Sequence, residues 1–245
     1  MDRTVYETMA LVQSRHWWFM GRKKIFSTLI SKLGLPSNAF ILEIGAGTGA
    51  NLEMLSKFGQ VVACESDHDS CKFLNDEGWE AFSGSLPDSL PSFNLKFDLI
   101  CLFDVLEHVE NDFASIAKIK SLLSPGGVLI IACPAYQWLF GGYDAKLGHY
   151  RRYTKTHLND LLINNDLTII QSGYINSILF PMVALARFLE FLHLDKRKNA
   201  LRLPNRCINK ILTNIFIFEE KFIKRRLLPF GVSVVSIAKF SKNKK

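Results

Sequence analysis

Short apolar runs alternate with amphipathic segments over residues 39–174. The apolar runs predict strands, and apolar residues spaced three or four apart predict helices. The predicted strands are Ala39–Ile44, Val61–Cys64, Ala81–Ser83, Phe97–Phe103, Val128–Cys133 and Leu167–Tyr174. The predicted helices are Asn51–Phe58, Asp69–Glu77, Asp112–Leu123 and Thr156–Asn164. This alternation predicts an α/β fold with a doubly wound, mostly parallel sheet.

Two helical regions flank this pattern. Val5–Leu33 has helical spacing and ends at the break Gly34–Asn38 (GLPSN). Residues 175–230 are helical and basic, and a last apolar run, Val232–Lys239, follows them. A strand that returns after a helical excursion predicts a seventh, antiparallel strand in a mixed sheet. Ser124–Gly127 (SPGG) predicts a turn before the fifth strand.

Length and composition fit one embellished domain, since the chain has 245 residues of which 48% are hydrophobic. The net charge of +7 is unevenly spread. Residues 1–186 carry 15 Lys and Arg against 19 Asp and Glu, whereas residues 187–245 carry 15 against 4. The C-terminal end is therefore expected to be basic. Such a surface is either a solvated face or one that contacts anionic lipid or an anionic substrate.

Cysteine usage and the first residues bear on the compartment. The five cysteines form no CxxC pair, which favours a reducing cytosol over a disulfide framework. Met1–Ala10 is too polar for a signal peptide. The longest uncharged run, Leu167–Ala186, contains polar residues and Pro181, so a strand and an amphipathic helix explain it better than a membrane span. We expect a cytoplasmic protein, with peripheral contact at the inner membrane face as the alternative.

A glycine-rich turn follows the first predicted strand. In Ile41–Gly49 (ILEIGAGTG) the glycines stand at positions 45, 47 and 49, and a helix begins directly afterwards. Glycines permit a tight turn and a close approach of the backbone to a ligand. Open α/β sheets bind ligands at this carboxyl end of the strands. The pattern GxGxG is one residue shorter than the dinucleotide GxGxxG, which favours a donor without a pyrophosphate, such as S-adenosylmethionine, over NAD.

Glu65 ends the second predicted strand, 20 residues after Gly45. An acid at this spacing accepts hydrogen bonds from the hydroxyls of a ribose. The alternative interpretation is a surface acid in a polar turn. The spacing favours the ribose role.

Four motifs in order resemble those of class I S-adenosylmethionine-dependent methyltransferases. They are ILEIGAGTG, Glu65 at the end of VVACE, FDLICLFDVLEHV at 97–109 and LSPGGVLIIACP at 123–134. The resemblance covers residues 39–175 and the last strand, and it is strongest to the group that includes ubiquinone and menaquinone biosynthesis enzymes. It implies a Rossmann-like, seven-stranded sheet with an antiparallel last strand.

The resemblance also implies roles for single residues. Glu43 and the three glycines, Gly45, Gly47 and Gly49, would hold the methionine part of the donor, and Glu65 its ribose. Ser85 and Leu86 would flank the adenine, although the family often has an acid in the place of Ser85. Phe103 and Asp104 would line the methionine part, and Val105–His108 would open the next helix. The domain divisions expected are a lid at 1–36, a cofactor-binding core at 37–174, a helical cap at 175–230 and a final strand with a basic tail at 231–245.

Three adjacent aromatic residues, Trp17, Trp18 and Phe19, stand in the N-terminal helical region. Successive residues of a helix point about 100° apart, so all three cannot face one core. They form either a lid over the cofactor pocket or plain core. Arg22, one turn beyond Trp18, is expected to reach the carboxylate of the cofactor, so Trp18 and Arg22 join the predicted cofactor site.

The segments His16–Arg22 (HWWFMGR) and Gly148–Tyr153 (GHYRRY) resemble those of methyltransferases that occur with cell-surface glycan or lipid pathways. His149 lies in a loop after the fifth strand, where function concentrates, and a histidine can take a proton near neutral pH. The alternative is a structural histidine. We predict His149 as the catalytic base, with one of the two following arginines on an anionic substrate group. The predicted substrate residues are Trp17, His108, Tyr136, Arg151, Arg152 and Tyr153.

Some chemistries are disfavoured. Asp104, Glu107 and His108 suggest a metal, but no second cluster in the sequence completes a site, so no metal is expected. Methyltransferases that act on nucleic-acid bases or on glutamine share an Asn/Asp-Pro-Pro-aromatic motif after the fourth strand. This chain lacks that motif, so no nucleic acid partner is expected.

These features together predict methyl transfer from S-adenosylmethionine, by in-line displacement, to a small-molecule or lipid- or glycan-linked acceptor with a hydroxyl or an amine. A non-catalytic S-adenosylmethionine-binding partner protein and a nicotinamide oxidoreductase are the alternatives. Residues 175–230 are interpreted as a substrate-binding cap, with contact to an anionic membrane as the other interpretation. The acceptor and the oligomeric state stay open.

Overall fold

The structure is a computed structural model that describes residues 3–191 and 203–241, with side chains from residue 6 onward. Its helices are α1 (Arg3–Val12), α2 (Trp17–Ile30), α3 (Leu52–Leu55), α4 (His68–Asp76), α5 (Asp112–Leu122), α6 (Gly142–Leu147), α7 (Lys155–Ile163), α8 (Phe180–Phe191), α9 (Arg206–Phe218) and α10 (Glu220–Ile223). Its strands are β1 (Phe40–Ile44), β2 (Gln60–Glu65), β3 (Glu80–Ser83), β4 (Phe97–Phe103), β5 (Leu123–Pro134), β6 (Leu167–Ile175) and β7 (Ser233–Phe240).

All seven strands join one sheet in the order β3-β2-β1-β4-β5-β7-β6. The pairs from β3 to β5 are parallel, and β7 runs antiparallel to both β5 and β6. The predicted Rossmann-like sheet with an antiparallel last strand is therefore confirmed. Strand order reverses between β1 and β4, so the turns that follow these two strands open a crevice at the carboxyl edge of the sheet.

Side chains alternate between the two faces of the sheet, as the pleat requires. One face packs on α5 and α7, for example through Ile100 and Leu102. The other face packs on α2, α9 and α10, for example through Leu99 and Cys101. Because both faces are covered, β1, β4 and β5 read as continuous apolar runs, which is why they were easy to predict.

Several predicted boundaries were wrong. The helix predicted over residues 51–58 is only α3, because the chain turns at Ser56 and leads into β2. The turn predicted at Ser124–Gly127 lies inside β5, where the register with β4 shifts between Phe97 and Leu99 and leaves an irregular strand start. Val105–His108 does not open an α-helix, since a 3₁₀ turn at Leu106–His108 precedes α5. The N-terminal helical region is two helices, separated at residues 13–16.

The predicted cap contains α8, α9 and α10, while residues 192–202 of it and the last four residues of the basic tail lie outside the described part. Asn205 caps α9, since its Oδ1 accepts from the backbone of Ile208 at 2.9 Å. Among the described helices, none is both long enough and apolar enough to cross a bilayer.

Candidate active site

The glycine turn after β1 has a backbone that only glycine adopts easily. Gly45, Gly47 and Gly49 have φ values of +75°, +56° and +81°. At Gly45 a Cβ atom would stand 2.3 Å from a methyl group of Val105, which follows β4. The two turns of the crevice therefore meet at Gly45, and the space there admits no side chain.

Glu65 closes this turn from the end of β2. Its Oε2 accepts from the backbone N–H of Gly47 at 2.8 Å, and its Oε1 accepts from the backbone of Asp67 and the hydroxyl of Ser66. The side chain is nearly buried. Glu65 thus stands where the sequence placed it, beside the glycine turn, and its carboxylate is fixed by backbone donors.

Helix α1 lies across the same turn. The hydroxyl of Tyr6 donates to Oε1 of Glu65 at 3.2 Å. Gln13, just after α1, donates to the carbonyl of Thr48 and accepts from its hydroxyl at 2.7 Å. Burial and the Glu65 carboxylate raise the pKa of Tyr6. The N-terminal helices therefore cover the predicted cofactor crevice, and α1 occupies hydrogen-bonding positions that a ribose would use.

Glu43, inside β1, is completely buried under the turn. Its Oε1 accepts from the side-chain amide of Asn51 at 2.7 Å, while Oε2 has no hydrogen-bond partner among the described residues. Burial raises the pKa of Glu43 to about 8. A buried acid with one free oxygen is suited to receive a cationic or hydrogen-bonding group.

The end of β4 is tied to α2 by an ion pair. Arg22 lies 2.9 Å from Oδ2 of Asp104 and between the rings of Trp18 and Phe26, whose centroids are 5.1 and 5.0 Å from the guanidinium. Phe26 also stacks on Phe103 at 4.0 Å. Arg22 thus pairs with a carboxylate of the protein itself, in place of the cofactor carboxylate that it was expected to reach. Asp104 has a strained backbone, with a φ of +59°.

A cavity of about 260 Å³ opens beside Asp104. It is roofed by α2 and α8 and floored by the loops after β4 and β5. Its lining includes the predicted residues Trp17, Trp18, Asp104, His108, His149 and Arg152. A larger surface hollow lies at the opposite, amino edge of the sheet, around Asn38 and Gln60, away from the glycine turn.

Asp144, on α6, anchors the polar wall of this cavity. Its carboxylate accepts from Nε and Nη2 of Arg152, both at 2.9 Å, and from the backbone of Gly141. It also lies 2.9 Å from Nδ1 of His149 and 3.6 Å from Arg187. Burial opposes its charge, but the hydrogen bonds from His149 and Arg152 hold the pKa of Asp144 well below its usual range. Because Nδ1 of His149 is engaged, Nε2 is the nitrogen left to act.

Glu107, His108 and His149 bring one ligand atom each to within 4.8 Å of one another. The carboxylate of Glu107 is fully buried and makes no hydrogen bond to another residue's N–H or O–H group in the described part of the chain. Burial and the neighbouring His149 lower the pKa of His108 to about 4, so its ring is neutral at pH 7. The fold brings His149 to Glu107 and His108, a grouping that the sequence did not show. The absence of a metal stays a prediction.

Five further predicted residues lie outside this cavity. Arg151 pairs with Asp112 on the surface at 2.8 Å, and the buried ring of Tyr153 is held in the core by the same carboxylate at 2.9 Å. Tyr136 stacks on Tyr174 at 5.1 Å. At the other end of the crevice, the Ser85 hydroxyl pairs with that of Ser89, and Leu86 packs on the core.

Three charged residues of the cavity, Asp144, Glu107 and Arg187, were not among the predicted site residues. Arg187 carried a readable signal, because it is the one charged residue among the apolar positions 180–189. Asp144 carried little signal, since a lone acid five positions before His149 has many possible partners.

Comparison with known proteins identifies the family. Residues 19–172 match the model of a methyltransferase domain. The match spans most of the chain, so this protein belongs to that methyltransferase family, and the resemblance predicted from the motifs is confirmed.

Similarity to individual proteins is lower. A demethylmenaquinone methyltransferase of Tropheryma whipplei is 26% identical over 138 residues, which are 53% of this chain and 52% of that protein. The chain thus spans about half the length of the curated relatives it matches. A chain of the complex between the Haloferax volcanii Trm112 methyltransferase activator and a methyltransferase superposes with a TM-score of 0.63 at 13% identity, over 100% of both chains. Phosphoethanolamine N-methyltransferase 2 of Haemonchus contortus, in complex with S-adenosyl-L-methionine, gives 0.54 at 14% identity, over 89% of this chain and 52% of that one. These two structures show a shared fold.

Proposed function

We propose that this protein is an enzyme that transfers the methyl group of S-adenosylmethionine to a small-molecule or lipid- or glycan-linked acceptor, and that His149 takes the proton from the attacking hydroxyl or amine. The single observation that carries the proposal is the cavity beside Asp104. It joins the end of β4, where the donor's methionine part belongs in this family, to a histidine that a buried carboxylate orients.

Donor binding is assigned to the glycine turn, Glu43 and Glu65. The free Oε2 of Glu43 suits the donor's amino group, and Glu65 suits the ribose once the Tyr6 hydroxyl has moved off its Oε1. S-adenosylmethionine supplies a methyl group already activated by the sulfonium charge. The chain has to align the acceptor with that carbon and exclude water.

The proton transfer uses the His149–Asp144 pair. With Nδ1–H donating to Asp144, Nε2 carries the lone pair that accepts the acceptor's proton as the new bond to the methyl carbon forms and the bond to sulfur breaks. The imidazolium that results is stabilised by the charged Asp144. The products are the methylated acceptor, S-adenosylhomocysteine and one proton, which His149 releases to solvent.

The test compares His149→Gln with the wild type, using as acceptors demethylmenaquinone, named in the relative, and a panel of catechols and amines. We expect turnover to fall about 100-fold or more, because general-base catalysis contributes this much. Binding of S-adenosylmethionine, measured by calorimetry, should stay within about threefold. Retained turnover in this variant would refute the base assignment. Binding of NAD without S-adenosylmethionine would support an oxidoreductase, and donor binding with no methylated product a non-catalytic binder.

A second candidate is metal-assisted methyl transfer, favoured by the Glu107–His108–His149 set. Two imidazoles and one carboxylate form a donor set suited to a divalent transition metal, and Asp144 would orient His149 from the outer shell. Metal analysis of the purified protein separates the candidates. One equivalent of metal, lost in Glu107→Gln, supports this second candidate, and full activity of a metal-free preparation rejects it.

A further inference from the structure

Helix α8 is apolar and yet none of its side chains is buried. Nine of its twelve residues are Phe, Met, Val, Ala or Leu. A helix of this composition normally lies in a protein core or against a membrane. Its unburied state therefore indicates a missing partner.

The sides of α8 have different surroundings. Val183 and Arg187 line the cavity of the candidate active site. Four other apolar side chains of the helix are exposed and form a stripe that winds around about half of it: Met182, Leu185, Phe188 and Phe191, the last with 79% of its surface accessible. One short helix thus forms both a wall of the cavity and an apolar outer surface.

The exposed apolar surface continues onto the junction of α9 and α10. Glu219, at that junction, accepts from the backbone N–H groups of Asn176 and Ile178 at 2.7 Å, just before α8 begins. The rings of Phe180 and Phe230 are 5.8 Å apart. Three further exposed apolar side chains surround the junction: Ile178, Phe218 and Phe222. We call this surface, with the stripe on α8, the α8–α10 face.

Basic residues accompany this face. Exposed Lys and Arg side chains in α9, α10 and the turn after them are Arg206, Lys210, Lys221, Lys224, Arg225 and Arg226. The two acids of the same stretch are engaged, since Glu219 is buried on backbone donors and Glu220 pairs with Lys24 and Lys224. The stretch therefore presents a positive charge next to apolar side chains.

We infer that the α8–α10 face docks on the surface of an anionic lipid bilayer, with the α8 stripe in the acyl–headgroup boundary and the basic side chains on the headgroups. Apolar insertion and electrostatic attraction act together in such contacts. A second copy of this chain fits less well, because two faces of the same positive charge repel. Docking does not depend on the proposed methyl transfer. If it occurs, α8 sets the cavity at the membrane surface, where a lipid-linked acceptor would be presented.

The test is sedimentation of the full chain, without methyl donor, with vesicles of phosphatidylcholine alone or with added phosphatidylglycerol. We expect binding only to the anionic vesicles, with an affinity that falls as salt rises. Leu185→Glu/Phe188→Glu should weaken it at least about tenfold, and so should Arg225→Glu/Arg226→Glu. The matched controls are Phe113→Glu/Ile163→Glu, exposed on α5 and α7 across the sheet, and Lys57→Glu/Lys72→Glu, with the same change in charge. Both should bind like the wild type.

Several results would overturn the inference. They are equal binding to neutral vesicles, no binding to either vesicle, or equal losses in the control variants. A wild-type dimer in light scattering that Leu185→Glu/Phe188→Glu converts to a monomer would assign the face to a second copy instead. Circular dichroism of each variant checks the fold. Donor titration of the same samples keeps a failure of docking apart from a failure of the proposed function.

Discussion

The glycine turn, to which we assign the methyl donor (the donor turn), and the cavity beside Asp104, to which we assign the acceptor (the acceptor cavity), lie side by side but are built from different parts of the chain. The donor turn needs β1, β2 and the loop between them, and backbone conformation at three glycines defines most of it. The acceptor cavity is assembled from α2, α8 and the loops after β4 and β5, and buried charges hold it together. The donor turn should therefore respond to added atoms, and the cavity to removed charges.

The largest expected effect is in the acceptor cavity. Arg152→Ala removes the bidentate partner of the buried Asp144 and should lower the free energy of unfolding by about 3 to 5 kcal/mol. The matched variant is Arg151→Ala, whose ion pair with Asp112 is partly exposed and should cost about 0 to 1 kcal/mol. Urea unfolding measures both. Equal losses would mean that the Asp144 network does not hold this wall.

The next effect belongs to the donor turn. Gly45→Ala places a methyl group into Val105 and forces a positive φ, at a combined cost of about 2 to 4 kcal/mol. Affinity for S-adenosylmethionine should fall roughly 100-fold or vanish. The control is Gly34→Ala, since Gly34 has a similar φ of +63° but no atom of the described residues near the position of an added Cβ. It should lower the free energy of unfolding by about 1 kcal/mol and leave the affinity for S-adenosylmethionine unchanged. Wild-type affinity in Gly45→Ala would contradict the assignment of the turn.

A pH experiment tests whether ionisation of the buried Glu43, under the donor turn, destabilises the fold. The pKa of Glu43 is raised by burial to about 8, so the folded state holds a proton between roughly pH 4.5 and 8 that the unfolded state has released. Stability should therefore fall as pH rises through this window. Glu43→Gln should flatten the fall by on the order of 1 to 3 kcal/mol. The free energy of unfolding of both proteins is measured in urea at pH 5 and pH 8. An equal fall in the two proteins would contradict this prediction.

The smallest effect concerns the contact between helix α1 and the donor turn. Tyr6→Phe removes the hydrogen bond that the ribose must displace from Glu65, so affinity for S-adenosylmethionine should rise about fivefold, the value of one hydrogen bond. Tyr150→Phe, at an exposed ring, is the control and should change nothing. A weaker affinity in Tyr6→Phe would mean that the hydroxyl assists binding.

The same contrast explains what the sequence could predict. The strands, the glycine turn and Glu65 follow from local patterns, because apolar runs and glycine spacing are set within a few residues. The hydrogen bonds of Arg152 to Asp144 depend on how the chain folds back after α6, and the proximity of His149 to Glu107 depends on how that segment packs on the loop after β4. No local pattern contains either. Arg151 and Arg152 illustrate the limit, since adjacent identical residues end in a surface pair and a buried network.

The place of β7 has a consequence for synthesis. Among the strands of the described residues, β7 is the only one that pairs with β6, and β7 is also the neighbour of β5. On the ribosome, β6 is made well before β7, because α8 to α10 come between them. Until residues 233–240 emerge, β5 is an unpaired apolar edge of the sheet and β6 has no strand to pair with. Unpaired edges of this kind favour aggregation and chaperone binding. Nascent chains stalled before Ser233 should therefore remain protease-sensitive, and release of the final strand should complete the fold.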